Sequence, residues 1–238
     1  MHVFYSTLIQ GKQAILNEEE SLHLAKVLRL REGELVAVMD GKGSYYEGRV
    51  ELVHARHATI NNLELQLSSK PRPYILHVGI SPTKMMERFE WFLEKAVEIG
   101  IDRISPLQTK RSERSVLKMN RLEKIVLAAM KQSKTPFFPQ LDEIRSFDQW
   151  CSDSDLPQAR FIAHCMPGDK PYLSQQASGQ REVCVFIGPE GDFTADEVQL
   201  AIQHGFQAVS LGESRLRAET AGIVACAQIQ SIWQSNLR

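Results

Sequence analysis

The sequence lacks the features that mark membrane and secreted proteins. Its longest apolar runs, Val183–Ile187 and Ile223–Ala227, fall far short of the ~18 residues that a membrane-spanning helix needs. The first residues carry neither the basic flank nor the apolar block of a signal peptide. The four cysteines include no Cys-x-x-Cys pair, which favours free thiols and disfavours a zinc site. We therefore expect a cytoplasmic protein that uses no metal and contacts no membrane.

Several common nucleotide-binding and catalytic motifs are also missing. No Gly-x-Gly-x-x-Gly follows a predicted strand, because Gly41 and Gly43 lie in a predicted hairpin. The chain contains neither a Gly-x-x-x-x-Gly-Lys-Ser/Thr loop nor a Gly-x-Ser-x-Gly elbow. These absences weigh against a nicotinamide enzyme of the usual kind, a P-loop protein and a typical hydrolase.

A change of pattern along the chain predicts two domains. The 238 residues, of which 43% are apolar and 24% charged, suffice for one large or two small globular domains. The two prolines of Ser68–Pro73 disfavour helix and strand, so this segment is predicted to be a linker. Before it, a helix is predicted to start at Asn17, and apolar residues alternate with polar ones in Leu35–Met39, Tyr46–Leu52 and Leu63–Leu67. This pattern favours a small β-barrel domain at residues 1–70.

After the linker, predicted strands and helices alternate. The strands are Tyr74–Ile80, Ile101–Leu107, Arg160–Ala163, Glu182–Ile187 and Phe206–Leu211. Thr83 is expected to cap the helix that reaches Gly100, and further helices are expected to start at Ser146 and Thr194. Such alternation is typical of a parallel sheet covered on both faces. Residues 73–238 are therefore predicted to form an α/β domain.

The charges are distributed unevenly. Residues 103–134, the basic strip, hold nine basic and two acidic residues, whereas residues 135–238 hold seven basic and thirteen acidic ones. A basic strip suits a partner with a phosphate backbone. The alternative is an ordinary solvated helix face.

Two strand exits in the second domain carry unusual loops. In open α/β sheets, ligands bind beyond the carboxyl ends of the strands, where the segments Ile187–Phe193 and Leu211–Ala221 are predicted to lie. Arg217 in the second loop sits at the start of a predicted helix, whose positive end disfavours a cation. That placement favours a functional role for Arg217. For the first loop, the alternative is that Gly188 and Gly191 only form a turn.

Four sequence blocks resemble one known family. Gly188–Phe193 (GPEGDF) is similar to its Gly-Pro-Glu-Gly-Gly-Phe block, and Leu211–Ala221 (LGESRLRAETA) to its Leu-Gly-x-Arg-Ile-Leu-Arg-x-Glu-Thr-Ala block. His23–Arg29 (HLAKVLR) resembles its N-terminal signature, and Lys84 with Lys95–Gly100 (KAVEIG) matches the first helix of its catalytic domain. The family is that of ribosomal RNA small subunit methyltransferase E, in the SPOUT class of RNA methyltransferases.

The resemblance implies a fold and an activity. The fold would be an α/β SPOUT-type domain with a parallel sheet and a trefoil knot, preceded by a small PUA-like β-barrel domain. The cofactor would be S-adenosylmethionine, and the substrate a uridine of small-subunit (16S-type) ribosomal RNA, methylated at N3. The partners would be that RNA or a 30S-type particle and a second copy of the chain in a homodimer.

The resemblance and the loop positions together nominate site residues. Arg217 is expected to stabilise negative charge on the uracil oxygens, and Glu190 and Glu219 are candidate proton acceptors. Alternatively, Glu219 caps its helix and pairs with Arg217. The expected cofactor-binding residues are His164, Ile187, Gly188, Pro189, Gly191, Leu211, Gly212, Ser214, Leu216 and Thr220. The expected RNA-binding residues are His23, Arg29, Arg31, Lys84, Arg111, Arg114 and Lys134.

The chain departs from the family pattern at a few positions. Asp192 replaces a glycine, Ser214-Arg215 replaces Arg-Ile, and Lys134 stands where the family often has arginine. Two other functions stay open at this point. One is a non-catalytic RNA-binding or ribosome-assembly factor on the same scaffold, and the other is a related enzyme that methylates a ribose 2′-hydroxyl.

Overall fold

The chain forms two compact units. A computed structural model describes residues 1–235. The first unit comprises Met1–Pro71 and Met130–Phe138, and the second comprises Arg72–Ala129 and Pro139–Arg238. Relative to the predicted first domain, residues 1–70, the first unit gains the distant segment Met130–Phe138. The last three residues of the predicted second domain, 73–238, lie outside the described residues.

The first unit is built on a six-stranded sheet. Its strands are β1 (Val3–Tyr5), β2 (Leu8–Gln10), β3 (Gln13–Ile15), β4 (Leu35–Met39), β5 (Ser44–Leu52) and β6 (Thr59–Ser68), in the order β1-β4-β5-β6-β3-β2. Only β1 and β4 run parallel, and the other neighbouring pairs are antiparallel. Phe4, Leu24 and Val36 are fully buried in its core. The three strands predicted from alternation are present, and β1 to β3 are additional.

Asn17 starts the helix of the first unit as predicted. Its side chain accepts a hydrogen bond from the Glu20 amide at 2.9 Å, and α1 spans Glu18–Leu22. The chain continues in a π-helical turn, His23–Leu28, which ends at Arg29 with a φ of 54°. The Glu20 carboxylate does not complete a capping box in this arrangement. It accepts hydrogen bonds from the Tyr5 amide at 3.1 Å and from Lys131 Nζ at 2.6 Å.

The segment Met130–Phe138 is bonded to a turn of the first unit. Asp40 shapes this turn, since its Oδ1 accepts from the Lys42 amide at 2.7 Å and the Ser44 amide at 2.9 Å. The Phe138 amide donates to the Gly41 carbonyl at 2.9 Å, and the Gly43 amide donates to the Pro136 carbonyl at 3.1 Å. These backbone bonds explain why a segment so distant in sequence belongs to this unit.

The second unit contains a parallel sheet. Its strands are β7 (Ile75–Ile80), β8 (Arg103–Gln108), β9 (Gln140–Leu141), β10 (Arg145–Ser146), β11 (Ala159–Ala163), β12 (Glu182–Ile187) and β13 (Gln207–Val209). The order is β10-β8-β7-β12-β11-β13, with β9 also paired to β8, and all these pairs are parallel. The predicted parallel sheet is confirmed.

Helices cover both faces of this sheet. The remaining helices of the chain are α2 (Met86–Ile99), α3 (Met119–Ser133), α4 (Phe147–Cys151), α5 (Leu173–Gln176), α6 (Ala195–Gln203) and α7 (Ala218–Ser235). Successive strand residues point to opposite faces. A Cβ built on Gly222 of α7 would lie 3.2 Å from Ile80, whereas one built on the preceding strand residue, Gly79, would lie 2.5 Å from Phe186. Phe186 belongs to a buried cluster with Phe147 of α4 and Ala201 of α6.

Two predicted helix starts are confirmed and one is wrong. Ser146 and Thr194 each form a complete capping box, with Gln149 and Glu197 respectively. Thr83 does not cap α2, which begins after Met85. The Thr83 hydroxyl donates to the Met85 carbonyl at 2.7 Å, and no side-chain hydrogen bond caps α2.

Candidate active site

Two adjoining cavities lie at the carboxyl ends of β11, β12 and β13. The larger has a volume of about 740 Å³, and the smaller has a volume of about 270 Å³. Both are lined by Ala163, Cys165, Arg215, Leu216 and Ala221. The smaller cavity contains residues of both predicted loops, Ile187–Phe193 and Leu211–Ala221. The fold therefore brings these two loops together at the sheet edge where ligands bind in open α/β proteins.

The larger cavity has the size and the walls of a small-molecule pocket. Five of the nominated cofactor-binding residues line it: His164, Leu211, Gly212, Ser214 and Leu216. Ala163, Val209 and Leu216 supply apolar surface, while Asp169 and Lys170 supply charges of opposite sign. Burial and the charge of Lys170 lower the pKa of His164, so this imidazole is neutral near pH 7.

The smaller cavity holds an arginine and a carboxylate. Arg217 lines its wall, and the Arg217 carbonyl accepts from the Ala221 amide at 2.7 Å in the first turn of α7. Within residues 1–235, no hydrogen bond or ion pair to the Arg217 guanidinium is found. Glu190 lines the same cavity, and its Oε1 accepts from the Lys84 amide at 3.0 Å. The cavity therefore presents an unpaired cation beside a partly engaged carboxylate.

Not every residue of the loop Ile187–Phe193 lines the smaller cavity. Ile187, Gly188 and Pro189 line the smaller cavity. A Cβ at Gly188 would lie 3.1 Å from the backbone nitrogen of Phe193, so the chain is close-packed there. Gly191, nominated as a cofactor contact, lines neither cavity, and its carbonyl accepts from Arg111 Nη1 at 2.6 Å.

Two nominated residues of α7 lie outside both cavities as the structure describes them. Glu219 is buried, with its Oε1 3.9 Å from Arg88 Nε on α2, so it pairs with Arg88 and not with Arg217. Its Oε2 is buried without a hydrogen-bond partner among the described residues. Thr220 follows it in the first turn of α7 and is only half-buried. Glu219 is turned toward α2 because α7 packs on that helix.

Three of the nominated RNA-binding residues, Lys84, Arg111 and Arg114, do not line the smaller cavity but are bonded to residues of its wall or to their neighbours. Arg111 is bonded to the Gly191 carbonyl, and Arg114 donates to the carbonyl of Lys84 at 2.8 Å. Lys84 Nζ lies 3.2 Å from Glu113. The other nominated residues belong to the first unit, and the structure leaves their side chains largely exposed: His23, Arg29, Arg31 and Lys134.

Much of the basic strip is paired with carboxylates. The ion pairs are Arg103 with Asp142, Lys110 with Asp196, Arg121 with Glu90, and Lys131 with Glu20, at 2.6–3.0 Å. Arg111 and Arg114 differ because, among residues 1–235, the partners found for them are neutral carbonyls, which leave the positive charge uncompensated. The strip is thus less available to a phosphate partner than the count of its charges suggests.

The sequence reasoning missed most of the loop that follows β11. Cys165, Gly168, Asp169, Lys170 and Tyr172 line the larger cavity, yet only His164 was nominated from this region. A usable signal was present, since Ala159–Ala163 is a strand whose exit lies at the ligand-binding edge.

A metal site and a membrane helix are both absent from the described part of the chain. Among residues 1–235, no group of three or more His, Cys, Asp or Glu side chains could hold a metal ion. Over the same residues, no helix combines the length and the apolar character needed to cross a bilayer.

Comparisons with known proteins agree with this architecture. The RNA methyltransferase domain family matches residues 70–230, and the RNA methyltransferase PUA domain family matches residues 16–61. Ribosomal RNA small subunit methyltransferase E of Synechocystis sp. is 32% identical over 218 residues, which cover 90% of this chain and 71% of that protein.

Solved structures share the whole fold. A protein of Porphyromonas gingivalis is 36% identical, with a TM-score of 0.87 over 100% of both chains. Ribosomal RNA small subunit methyltransferase E of Neisseria gonorrhoeae, solved bound to S-adenosyl methionine, is 26% identical, with a TM-score of 0.84 over 98% of both chains. The predicted PUA-like domain and methyltransferase domain are both present, and the chain belongs to the RNA methyltransferase family of ribosomal RNA small subunit methyltransferase E.

Proposed function

We propose that this protein transfers a methyl group from S-adenosylmethionine to N3 of a uridine in small-subunit ribosomal RNA. Family membership supports the cofactor and the class of RNA. The observation that carries the proposal is the unpaired Arg217 guanidinium in the wall of a small cavity that opens beside a cofactor-sized one. Two adjoining cavities suit a methyl donor in the larger one and the acceptor base in the smaller one.

The residues of the larger cavity fit the methyl donor. Leu211 and Leu216 offer apolar surface to an adenine ring, and the polar groups of Asp169 and Ser214 can bond ribose hydroxyls. Lys170 and Arg215 carry positive charge suited to the carboxylate of the methionine part. When bound, the cofactor supplies a methyl group already activated by its sulfonium sulfur, so the protein needs no metal for activation.

Arg217 and Glu190 have complementary tasks in the smaller cavity. Attack by N3 requires the loss of its proton, and negative charge then develops on the neighbouring uracil oxygens. Arg217, free of protein partners among the described residues, stabilises that charge by hydrogen bonding in the cavity. Glu190 uses Oε1 to accept from the Lys84 amide, and its second carboxylate oxygen is the proposed proton acceptor. The bond from N3 to the methyl carbon would form as the methyl–sulfur bond breaks, so the bonding electrons would stay on sulfur and S-adenosylhomocysteine would leave. Holding N3 in line with the methyl group would add to the rate.

The RNA must present an unpaired base. Because N3 lies on the pairing edge of uracil, the target nucleotide has to be single-stranded or splayed out when it is methylated. Arg111 and Arg114 keep uncompensated charge beside the smaller cavity and are proposed to hold the flanking phosphates. His23, Arg29, Arg31 and Lys134 of the first unit are proposed to contact RNA further from the reacting base.

Three remaining expectations belong to the same proposal: a trefoil knot in the second domain, a homodimer and a cytoplasmic location. Light scattering on the purified protein tests the dimer, since a mass twice the 27.0 kDa of one chain is expected.

The decisive experiment maps the methylated nucleoside. The purified protein is incubated with isotope-labelled S-adenosylmethionine and with small subunits or naked RNA from cells lacking the modification, and the digested RNA is analysed by mass spectrometry. We expect labelled N3-methyluridine, and a loss of product with Arg217→Ala. Arg181→Ala is the matched control, because Arg181 precedes β12 at the opposite end of the sheet. Label on a ribose hydroxyl, or RNA binding without transfer, would favour the two other functions.

A further inference from the structure

Asp192 has a backbone conformation that residues other than glycine rarely adopt. Its φ is 63°, in the left-handed region that favours glycine. The Asp192 amide donates to the Pro189 carbonyl at 2.9 Å, which closes a turn with Glu190 and Gly191 at its centre. Aspartate adopts this region more readily than most residues, because its short polar side chain can hydrogen-bond nearby.

The Asp192 carboxylate makes two hydrogen bonds that join separate parts of the site. Its Oδ1 accepts from the Phe193 amide at 2.8 Å, and its Oδ2 accepts from the Cys165 amide at 2.8 Å. Cys165 lies in the loop after β11, whereas Asp192 lies in the loop after β12. One side chain thus links two loops that are 27 residues apart in sequence.

The two ends of this link differ in burial. Phe193 is fully buried, and its ring centroid lies 5.2 Å from that of Phe147 in the core. Cys165 is exposed and lines both cavities. Because the carboxylate is tied to the buried end, it can hold the exposed end in place.

We infer that Asp192 is a positioning residue for the methyl donor: its carboxylate fixes the loop after β11 against the loop after β12 and so sets the shape of the shared cavity wall. The inference rests on the proposed function for the identity of the ligand. The contact between the two loops, from Asp192 to Cys165, is independent of the proposed function.

The test compares Asp192→Gly and Asp192→Asn with the wild type and with Asp196→Asn. Glycine removes both hydrogen bonds while accepting the positive φ, so it separates loss of the link from backbone strain. Asparagine keeps one acceptor oxygen. Asp196→Asn is the matched control, because Asp196 is an exposed carboxylate on α6 outside both cavities. Calorimetric titration with S-adenosylmethionine should give a Kd raised about ten-fold or more for Asp192→Gly, less for Asp192→Asn, and unchanged for the control.

A second readout does not involve the cofactor. Cys165 is the exposed one of the four cysteines, and Cys151, Cys184 and Cys226 are buried, so the fast reaction of the folded protein with a thiol reagent reports on Cys165. We expect this reaction to be several-fold faster in Asp192→Gly, with a thermal midpoint close to that of the wild type. Unchanged thiol rates and an unchanged Kd would overturn the inference. A wild-type protein that binds no S-adenosylmethionine would instead refute the proposed function, and the thiol rates would still test the link.

Discussion

The imidazole Nε2 of His77 lies 2.6 Å from the hydroxyl oxygen of Ser105. Ser105 in turn donates to Asp142 Oδ2 at 2.5 Å. These residue types match a hydrolase triad, but the hydroxyl lies between the imidazole and the carboxylate, whereas catalysis needs the imidazole in the middle. His77 and Ser105 are also completely buried, so the network is structural.

This network predicts a loss of stability in mild acid. Burial, with a further contribution from Arg103, lowers the pKa of His77 from 6.5 to about 3. Below pH 6.5 the unfolded chain binds a proton at His77 that the folded chain does not, so the free energy of unfolding falls as the pH falls, by at most about 1.4 kcal/mol per pH unit for this group. Urea unfolding between about pH 6.5 and 5 measures the slope, in a range where aspartates such as the nearby Asp142 and Asp153 are largely ionised in both states.

Replacing His77 should flatten that dependence. His77→Gln removes the titrating group. The two proteins are compared by the slope of their free energy of unfolding against pH, and a loss of stability that is the same at every pH does not change this slope. His2→Gln, at the exposed amino terminus, is the control and should leave the slope unchanged. An unaltered slope in His77→Gln would show that other groups cause the acid sensitivity.

A tight contact between two helices predicts a steric cost at Gly222. A Cβ at this position would lie 2.5 Å from the Phe92 ring, so Gly222→Ala should destabilise the protein by about 1–3 kcal/mol in denaturant unfolding. In a double-mutant cycle, Phe92→Leu should reduce the penalty of Gly222→Ala. If Gly222→Ala destabilised the wild type and Phe92→Leu equally, contact with the Phe92 ring would not be the cause of the destabilisation.

The two candidate proton acceptors should respond differently to amide substitution. Glu190 lines the smaller cavity, so Glu190→Gln should slow single-turnover methyl transfer by about 10²-fold or more. Glu219 faces Arg88, so Glu219→Gln should change the rate only a few-fold and act mainly on stability. The reverse ranking of the two rates would assign the proton to Glu219.

Arg111 and Arg114 should each contribute to the salt dependence of RNA binding. Replacing Arg111 or Arg114 by alanine should lower the slope of log affinity against log salt by about 0.7–0.9 per residue, because each carries uncompensated charge. Lys110→Ala and Arg121→Ala remove charges already paired with carboxylates and should lower the slope less. Arg111→Lys keeps the charge and should keep the slope. Filter binding at several salt concentrations measures all of these.

Local signals in the sequence predicted local structure well. The capping boxes at Ser146 and Thr194 need only residues three positions apart, and both form. Strands β1 to β3 have three residues each, too few to show a period. They were therefore missed.

Contacts between residues far apart in the sequence were not predicted. The link from Asp192 to Cys165 and the pairing of Glu219 with Arg88 depend on which strands and helices become neighbours. The strand exits and the family resemblance identified both cavity loops, yet neither could reveal that the Gly191 carbonyl is bonded to Arg111. Such details follow from packing, which short motifs do not encode.

Helix α3 contributes to both compact units, and this affects how the protein can be made or divided. Its residues up to Ala129 belong to the second unit, and those from Met130 onward belong to the first. During translation, the amino-terminal unit is therefore incomplete until residue 138 has left the ribosome. A fragment cut at Ser68–Pro73 and separated from the rest of the chain would not be the intact first unit, because Glu20 would lose Lys131 and the turn at Gly41 would lose Phe138.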